Sequence, residues 1–270
     1  MSKQDNNSQE RTMAELYDKH SSEFYDYHAK RGDVKFYVDF AVESGGPILE
    51  IGCGTGRILI PTARAGINIT GLDKSEEMLN ICRMKLESET VEVRDKVTLF
   101  NADMSDFNLD SKFSMVTIPF GPFNCLISID EQLKCLNCIK RHLSDNGSLV
   151  LDLLYLSSKE FSSGEKGFVA NTPFKMPDGR NVTWGIQFNS VDYNRQIVHE
   201  EMFYNIQYPD GHDEKLVYPS SLRYFFRYEV EHLLARTGFK TESVYADFDK
   251  EPFGTKYPSE LVFLARAIPG

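Results

Sequence analysis

The sequence has no cluster of basic residues, no apolar run long enough to cross a membrane and no disulfide framework. Thirty Lys and Arg stand against forty Asp and Glu, a net charge of −10. A surface of that sign repels phosphate backbones and anionic lipid headgroups, so neither nucleic acid nor membrane is an expected partner. The longest apolar run, Leu149–Leu156, is short for a span and contains Asp152. The opening MSKQDNNSQERT has no apolar core of the kind a secretory signal needs, so the expected location is cytoplasmic.

Five cysteines, Cys53, Cys82, Cys125, Cys135 and Cys138, are an odd number and make no disulfide framework in a chain of 270 residues. Cys135 and Cys138 have metal-ligand spacing. They lie, however, among Leu133, Leu136, Ile139 and Leu143, which recur at helix spacing, and no second Cys/His pair follows, so no metal is expected. No segment repeats at a fixed period, which excludes solenoids and propellers.

What is present is a globular composition, 41% apolar and 26% charged, at a length suited to one large domain or a core domain with a smaller one. From Pro47 onward, short β-rich runs alternate with helical ones. The strands are predicted at Pro47–Ile51, Ile67–Leu72, Val97–Phe100, Phe113–Ile118 and Ser148–Leu154. A helix is predicted from Arg57, with Pro61 tolerated in its opening turn and Gly66 stopping it. Another spans Ser75–Glu89, with Met78, Leu79, Cys82 and Leu86 on one face. This order predicts an α/β fold with a doubly wound, mostly parallel sheet.

After Tyr155 the pattern changes. Two Pro-Asp-Gly turns, Pro177–Gly179 and Pro209–Gly211, flank strictly alternating segments with Val182, Trp184, Ile186 and Phe188 in one and Met202, Tyr204, Ile206 and Tyr208 in the next. An antiparallel β-meander insertion is predicted over about 165–223, either a lid on the acceptor or a dimer contact. A helix at Tyr228–Thr237 and strands at Thr241–Tyr245 and Leu261–Ala265 then complete the α/β domain, giving 47–164 and 224–270. Residues 13–46 read as two amphipathic helices covering the active site, preceded by a disordered tail over 1–12.

The chemistry centres on Pro47–Arg57, a strand running into a glycine-rich turn that opens a helix. Gly52, Gly54 and Gly56 allow a sharp turn and close approach to a ligand. Dinucleotide sites want G-x-G-x-x-G, but here the third glycine comes one residue early. Glu50, two residues before the first glycine, would repel a pyrophosphate and favour a cationic ligand such as a sulfonium amino acid. Asp73 ends the second strand, where it can accept from both ribose hydroxyls or cap the following helix. Asp103, just past the third strand, can take an adenine amine with Met104 on the ring face, or cap a turn.

As a set, E-x-G-x-G-x-G at Glu50–Gly56, GLD at Gly71–Asp73, NADM at Asn101–Met104 and IPFGPFN at Ile118–Asn124 resemble the class I S-adenosylmethionine-dependent methyltransferases. The resemblance covers about Pro47–Leu154 plus the last helix and two strands. It implies a Rossmann-like sheet of seven strands, the last antiparallel, and S-adenosyl-L-methionine as methyl donor. It places Gly52, Gly54 and Gly56 on the methionine moiety, Glu50 at its amine, Asp73 at the ribose and Asp103 with Met104 at the adenine. Tyr25, Cys53, Arg57, Lys74, Met78 and Pro119 are further expected donor-site residues.

Leu16–Asp18 and the meander are similar to the small-molecule branch, which includes glycine/sarcosine and amino-sugar N-methyltransferases. The expected activity is methyl transfer to a small-molecule amine or hydroxyl, by a monomer or homodimer. Tyr17, Asn124 and Tyr224 are the expected catalytic residues, with Tyr25, Tyr155 and Arg223 as further acceptor-site groups and His20 and His28 as candidate bases. Some amino-sugar enzymes place a His just after the fourth strand, where this chain has Asn124 and Cys125. Competing readings are a protein methyltransferase, a donor-binding scaffold without catalysis, and a nicotinamide-dependent oxidoreductase.

Overall fold

A computed structural model describes residues 22–29, 31–155, 168–170, 173–257 and 259–269. The chain divides into two compact units, one of Met1–Lys30 with Ser158–Arg223, the other of Arg31–Ser157 with Tyr224–Gly270.

The larger unit carries, in chain order, α2 (Val34–Ser44), β1 (Ile48–Ile51), α3 (Leu59–Arg64), β2 (Ile69–Asp73), α4 (Glu76–Glu87), α5 (Val91–Arg94), β3 (Val97–Asn101), β4 (Phe113–Ile118), α6 (Ile129–His142), β5 (Leu143–Leu153), α7 (Arg227–Arg236), β11 (Phe239–Tyr245) and β12 (Leu261–Ala267). Its seven strands form one sheet in the order β11-β12-β5-β4-β1-β2-β3. The five from β5 to β3 run parallel. β12 is antiparallel to both of its neighbours.

Successive residues of a strand face opposite ways, and the sheet uses both faces. Leu49, Ile51, Val116, Ile118, Leu149 and Leu151 pack with Leu136 and Ile139 of α6 and Val230 and Leu234 of α7. Ile48, Ile69, Met115 and Val150 pack on the other face with Phe36 and Phe40 of α2, Leu59 and Ile60 of α3, and Leu79 and Cys82 of α4. Cys135 and Cys138 are buried on α6, and no group of His, Cys, Asp or Glu among the described residues could hold a metal. No helix among them is long and apolar enough to cross a membrane.

In the smaller unit the helical residues 22–28 (α1) accompany β6 (Phe168–Ala170), β7 (Phe174–Lys175), β8 (Asn181–Asp192), β9 (Ile197–Gln207) and β10 (Asp213–Arg223). The strands run antiparallel in the order β10-β9-β8-β6, with β7 also on β8. Both Pro-Asp-Gly segments close hairpins through Gly179 and Gly211, at φ +93° and +91°. That left-handed conformation is the one a three-residue hairpin loop asks of its last residue. The predicted alternation places Val182, Tyr204 and Ile206 together, with Phe24 of α1 and Tyr218 of β10 in the same cluster. Pro219, which cannot donate to a ladder, sits on the edge strand β10.

Two local readings are corrected. The first βα helix begins at Leu59 rather than Arg57, because residues 52–58 are taken up by turns. The cap of α4 is Ser75, whose hydroxyl accepts the Met78 N–H, and not Asp73. Asp73 lies at the end of the strand with its carboxylate turned back to the glycine loop.

Candidate active site

In a doubly wound sheet, ligands bind beyond the carboxyl ends of the strands where the strand order reverses. Here that point lies between β1 and β4. The loop from Gly52 to Gly56 leaves β1 there, tied to β2 by the Gly52 and Cys53 N–H groups, which both donate to Leu72 O. All three loop glycines have positive φ, but their surroundings differ. A Cβ on Gly52 would meet Pro122 at 2.5 Å and one on Gly56 would meet Cys82 Sγ at 2.7 Å, so those two are fixed by packing. A Cβ on Gly54 would meet nothing within 4 Å. This is the one glycine of the three that faces open space.

Asp73 takes the Gly54 N–H at 2.7 Å and the Ser75 N–H at 2.8 Å. Burial raises its carboxyl above the ordinary aspartate value, and these backbone N–H groups oppose the rise. Asn101 donates to Asp73 O and Lys74 O, which locks the ends of β2 and β3 together. Asp103 accepts from Ser105 N and Oγ, and from Lys74 Nζ at 3.1 Å. The Ser105 N–H is the main reason its carboxyl titrates below the usual range. Met104 is half-buried against the core, Met78 is half-buried on α4, and Pro119 is buried at the end of β4.

Glu50 is 2% exposed on β1. Burial holds its carboxyl well above the usual range; Arg57 opposes this, while Asp33 and Asp73 add to it. Its Oε2 has no hydrogen-bond partner among the described residues. Arg57 is held by the fully buried Asp33, whose two carboxylate oxygens accept from its Nη1 and Nη2. Cys53 lies buried beneath the loop, its thiol raised chiefly by burial.

Beyond β4 the chain turns through Phe120, at φ +69°. Arg57 and Arg31 lie over its ring at 5.1 and 5.6 Å from the centroid. Asp152, fully buried on β5, accepts the Phe120 N–H, the Tyr37 hydroxyl and the Arg31 guanidinium, and Arg31 also pairs with Glu260.

The expected site residues are therefore distributed unevenly. Glu50, Gly52, Cys53, Gly54, Gly56, Arg57, Asp73, Lys74, Met78, Asp103, Met104 and Pro119 all belong to the larger unit. Asn124 is there too, 1% exposed, its Oδ1 accepting the Leu154 N–H at 3.0 Å. Tyr224 is 2% exposed and edge-on to Phe226. Tyr155 packs edge-on to Phe253.

Tyr25, His28 and Arg223 belong to the smaller unit. His28 stacks on Trp184 with centroids 4.5 Å apart, and burial lowers its pKa to about 4. Arg223 donates to Arg195 O. Tyr17 and His20 lie outside the described residues.

Sequence reasoning missed Asp33, Arg31, Phe120 and Asp152 as parts of this architecture. Only Asp152 carried a signal, a single carboxylate inside an apolar strand. Arg57 and Asp33, by contrast, sit 24 positions apart with nothing in the local pattern to link them.

A loop whose central glycine opens outward, an acid at the end of β2, another just past β3 and a buried carboxylate on β1 all stand at the carboxyl ends of the parallel strands. The α/β unit is a class I S-adenosylmethionine-dependent methyltransferase domain. Residues 48–147 match a family described as "Methyltransferase domain".

The chain is 27% identical over 244 residues to YqeM of Bacillus subtilis (strain 168), which carries a methyltransferase name, across 89% of this chain and 90% of that protein. It is 30% identical to a dTDP-3-amino-3,6-dideoxy-alpha-D-glucopyranose N,N-dimethyltransferase of Streptomyces fradiae, across 52% of each chain. Its fold matches CalS10 from Micromonospora echinaspora, an amino pentose methyltransferase solved with S-adenosylmethionine bound. That match has a TM-score of 0.68 at 21% identity and covers 91% of this chain and 95% of that one.

Proposed function

We propose that this protein methylates an amine nitrogen of a small molecule, with an amino sugar as the leading acceptor class. The observation that carries the reading is the donor-site geometry: Gly54 opening outward, with Asp73 fixed on its N–H, and Glu50 buried on β1 without a partner for Oε2 among the described residues. The acceptor class is supported by the amino-sugar dimethyltransferase relative.

The residues fit the donor. Asp73 would hold the ribose hydroxyls, Asp103 the adenine amine beside Met104, and Glu50 the positively charged amino-acid end. When bound, the donor supplies a methyl group on a sulfonium, an electrophile that needs no metal or redox partner.

The chain's own task is then alignment. Holding the acceptor nitrogen close to and in line with the methyl can supply about 7–11 kcal/mol of the barrier. An amine needs no proton removed before it attacks, provided it arrives neutral. The surplus proton leaves the nitrogen after transfer. In the smaller unit, His28 lies beside Tyr204, and the buried Trp184 Nε1–H has no partner among the described residues.

The test is a mass-spectrometric screen with S-adenosylmethionine against nucleotide-linked amino sugars, other primary and secondary amines, and matched hydroxyl, thiol and carboxylate compounds. Gain of one or two methyl groups by amines, amino sugars foremost, is expected. Methylation confined to hydroxyls, thiols or carboxylates overturns the reading.

A further inference from the structure

The two faces of the smaller unit's sheet differ in chemistry. One carries Val182, Tyr204, Ile206 and Tyr218 and packs with Phe24 of α1. Successive residues of a strand point to opposite sides, so Lys175, Asn181, Gln207 and Asp213 share the other face, in one register row running from β7 to β10. Thr183, Asn205 and Lys215 form the next row. All of these residues line a cavity of about 700 Å³.

None of the side chains in these two rows makes a hydrogen bond or ion pair with a described residue. Neighbours on the same hairpins do: Tyr208 donates to Glu214 at 2.7 Å, and Arg180 pairs with Asp178 at 2.7 Å. The hydrogen-bonding capacity of the two rows is therefore turned into the cavity and not spent inside the fold. A concave site with a few convergent polar groups is the usual form of a small-molecule site.

The arrangement selects the chemistry of the ligand. Asn181, Thr183, Asn205 and Gln207 form a neutral block about 4.8 Å across the strands and about 6.8 Å along them. Carboxamides and hydroxyls both donate and accept, as each hydroxyl of a sugar does, and the block has the footprint of one pyranose ring. A phosphate wants cations at the centre, whereas Lys175 and Lys215 stand at opposite margins and Asp213 shares the Lys215 side. A nucleobase wants a ring to stack on. Phe203, in the following row, is 4% exposed, with Lys215 Nζ over it at 5.2 Å. A peptide strand would add to an edge of the sheet and not to its face.

We propose that this face of the smaller unit is a carbohydrate-binding site, in which Asn181, Thr183, Asn205 and Gln207 hold one neutral sugar ring by its hydroxyls. All four residues belong to the smaller unit, and none belongs to the donor site. The site does not rest on the acceptor reading above, and the sugar it holds is bound and not methylated.

The test is saturation-transfer difference NMR on the whole protein with the methyl glycosides of glucose, galactose, mannose and N-acetylglucosamine, each titrated into the millimolar range, with inorganic phosphate as competitor. Saturable binding of at least one glycoside, undisturbed by phosphate, is expected. Asn205→Ala and Thr183→Val should each weaken it about fivefold or more. Both positions lie on the sheet surface, and circular dichroism and melting temperature check that each variant is folded. No saturable signal from any of the four glycosides, displacement by phosphate, or wild-type affinity in either variant overturns the proposal. So does a concentration-dependent dimer, seen by sedimentation, that Asn205→Arg abolishes, because the face would then be a contact between two copies of the chain.

Discussion

Asp152 accepts the backbone N–H of Phe120 at 2.7 Å. Phe120 is a bulky residue in the left-handed region, which costs energy unless its surroundings hold it there. Asp152 supplies that restraint from a buried position on β5, while Arg31 and Tyr37 neutralise and satisfy it. The start of the segment beyond β4 is thus set by a carboxylate on the neighbouring strand.

Replacing Asp152 should therefore be expensive. Asp152→Ala leaves Arg31 and Tyr37 without their buried acceptor and is expected to lower unfolding free energy by about 3–5 kcal/mol. Asp152→Asn keeps the shape and one acceptor oxygen, so it should lose less. Urea unfolding of both variants measures this, and a loss under about 1 kcal/mol for Asp152→Ala would show that the hub does not hold the loop.

The loop glycines should fail in different ways. Gly56→Ala drives a methyl into Cys82 Sγ and Ile60 at φ +84°, and should destabilise by about 1–3 kcal/mol. Gly54→Ala meets no protein atom and has φ +54°, a left-handed value that costs an L-residue about 1–2 kcal/mol at most. Its main effect should be on the ligand, with S-adenosylhomocysteine binding at least about tenfold weaker. Wild-type affinity in Gly54→Ala would remove this glycine from the site.

His28 sets a pH window for the stability of the smaller unit. Burial lowers its folded pKa to about 4 from an unfolded value of 6.5. Between those values the unfolded chain takes a proton that the folded one refuses, so stability falls as pH drops from about 6.5 to about 4 and is unaffected by His28 above that. The size is at most about 3.4 kcal/mol. The melting temperature of wild type relative to His28→Gln should fall as pH drops from about 7 to about 4; a constant difference would contradict it.

The parallel sheet and the acids at its strand ends were legible because each was written locally. Pro47–Arg57 contains a strand, a turn and a helix start within a few residues, and Asp73 and Asp103 stand at strand ends that β-rich runs and turn residues define. The hairpins were equally legible from Pro-Asp-Gly and a period of two. Long-range polar pairings were not. Asp33 with Arg57, Asp152 with Arg31 and Tyr37, and Glu50 beside Thr117 exist only once the sheet register and α2 are in place. Asn124 shows the converse. It looked available for chemistry in the sequence, yet its Oδ1 accepts the Leu154 N–H in the folded chain.

The most direct measurement is calorimetric binding of S-adenosylhomocysteine to wild type and to Asp73→Asn, with NAD as comparison ligand. Asp73 is fixed by two backbone N–H groups at the end of β2. Its charge should be worth about 1.5 kcal/mol or more to a bound ribose, roughly a tenfold loss in the variant. Saturable one-to-one binding to wild type, weakened in Asp73→Asn, with no heat from NAD, is the predicted result. Binding of NAD with none of S-adenosylhomocysteine, or equal affinity in the two proteins, would contradict the account.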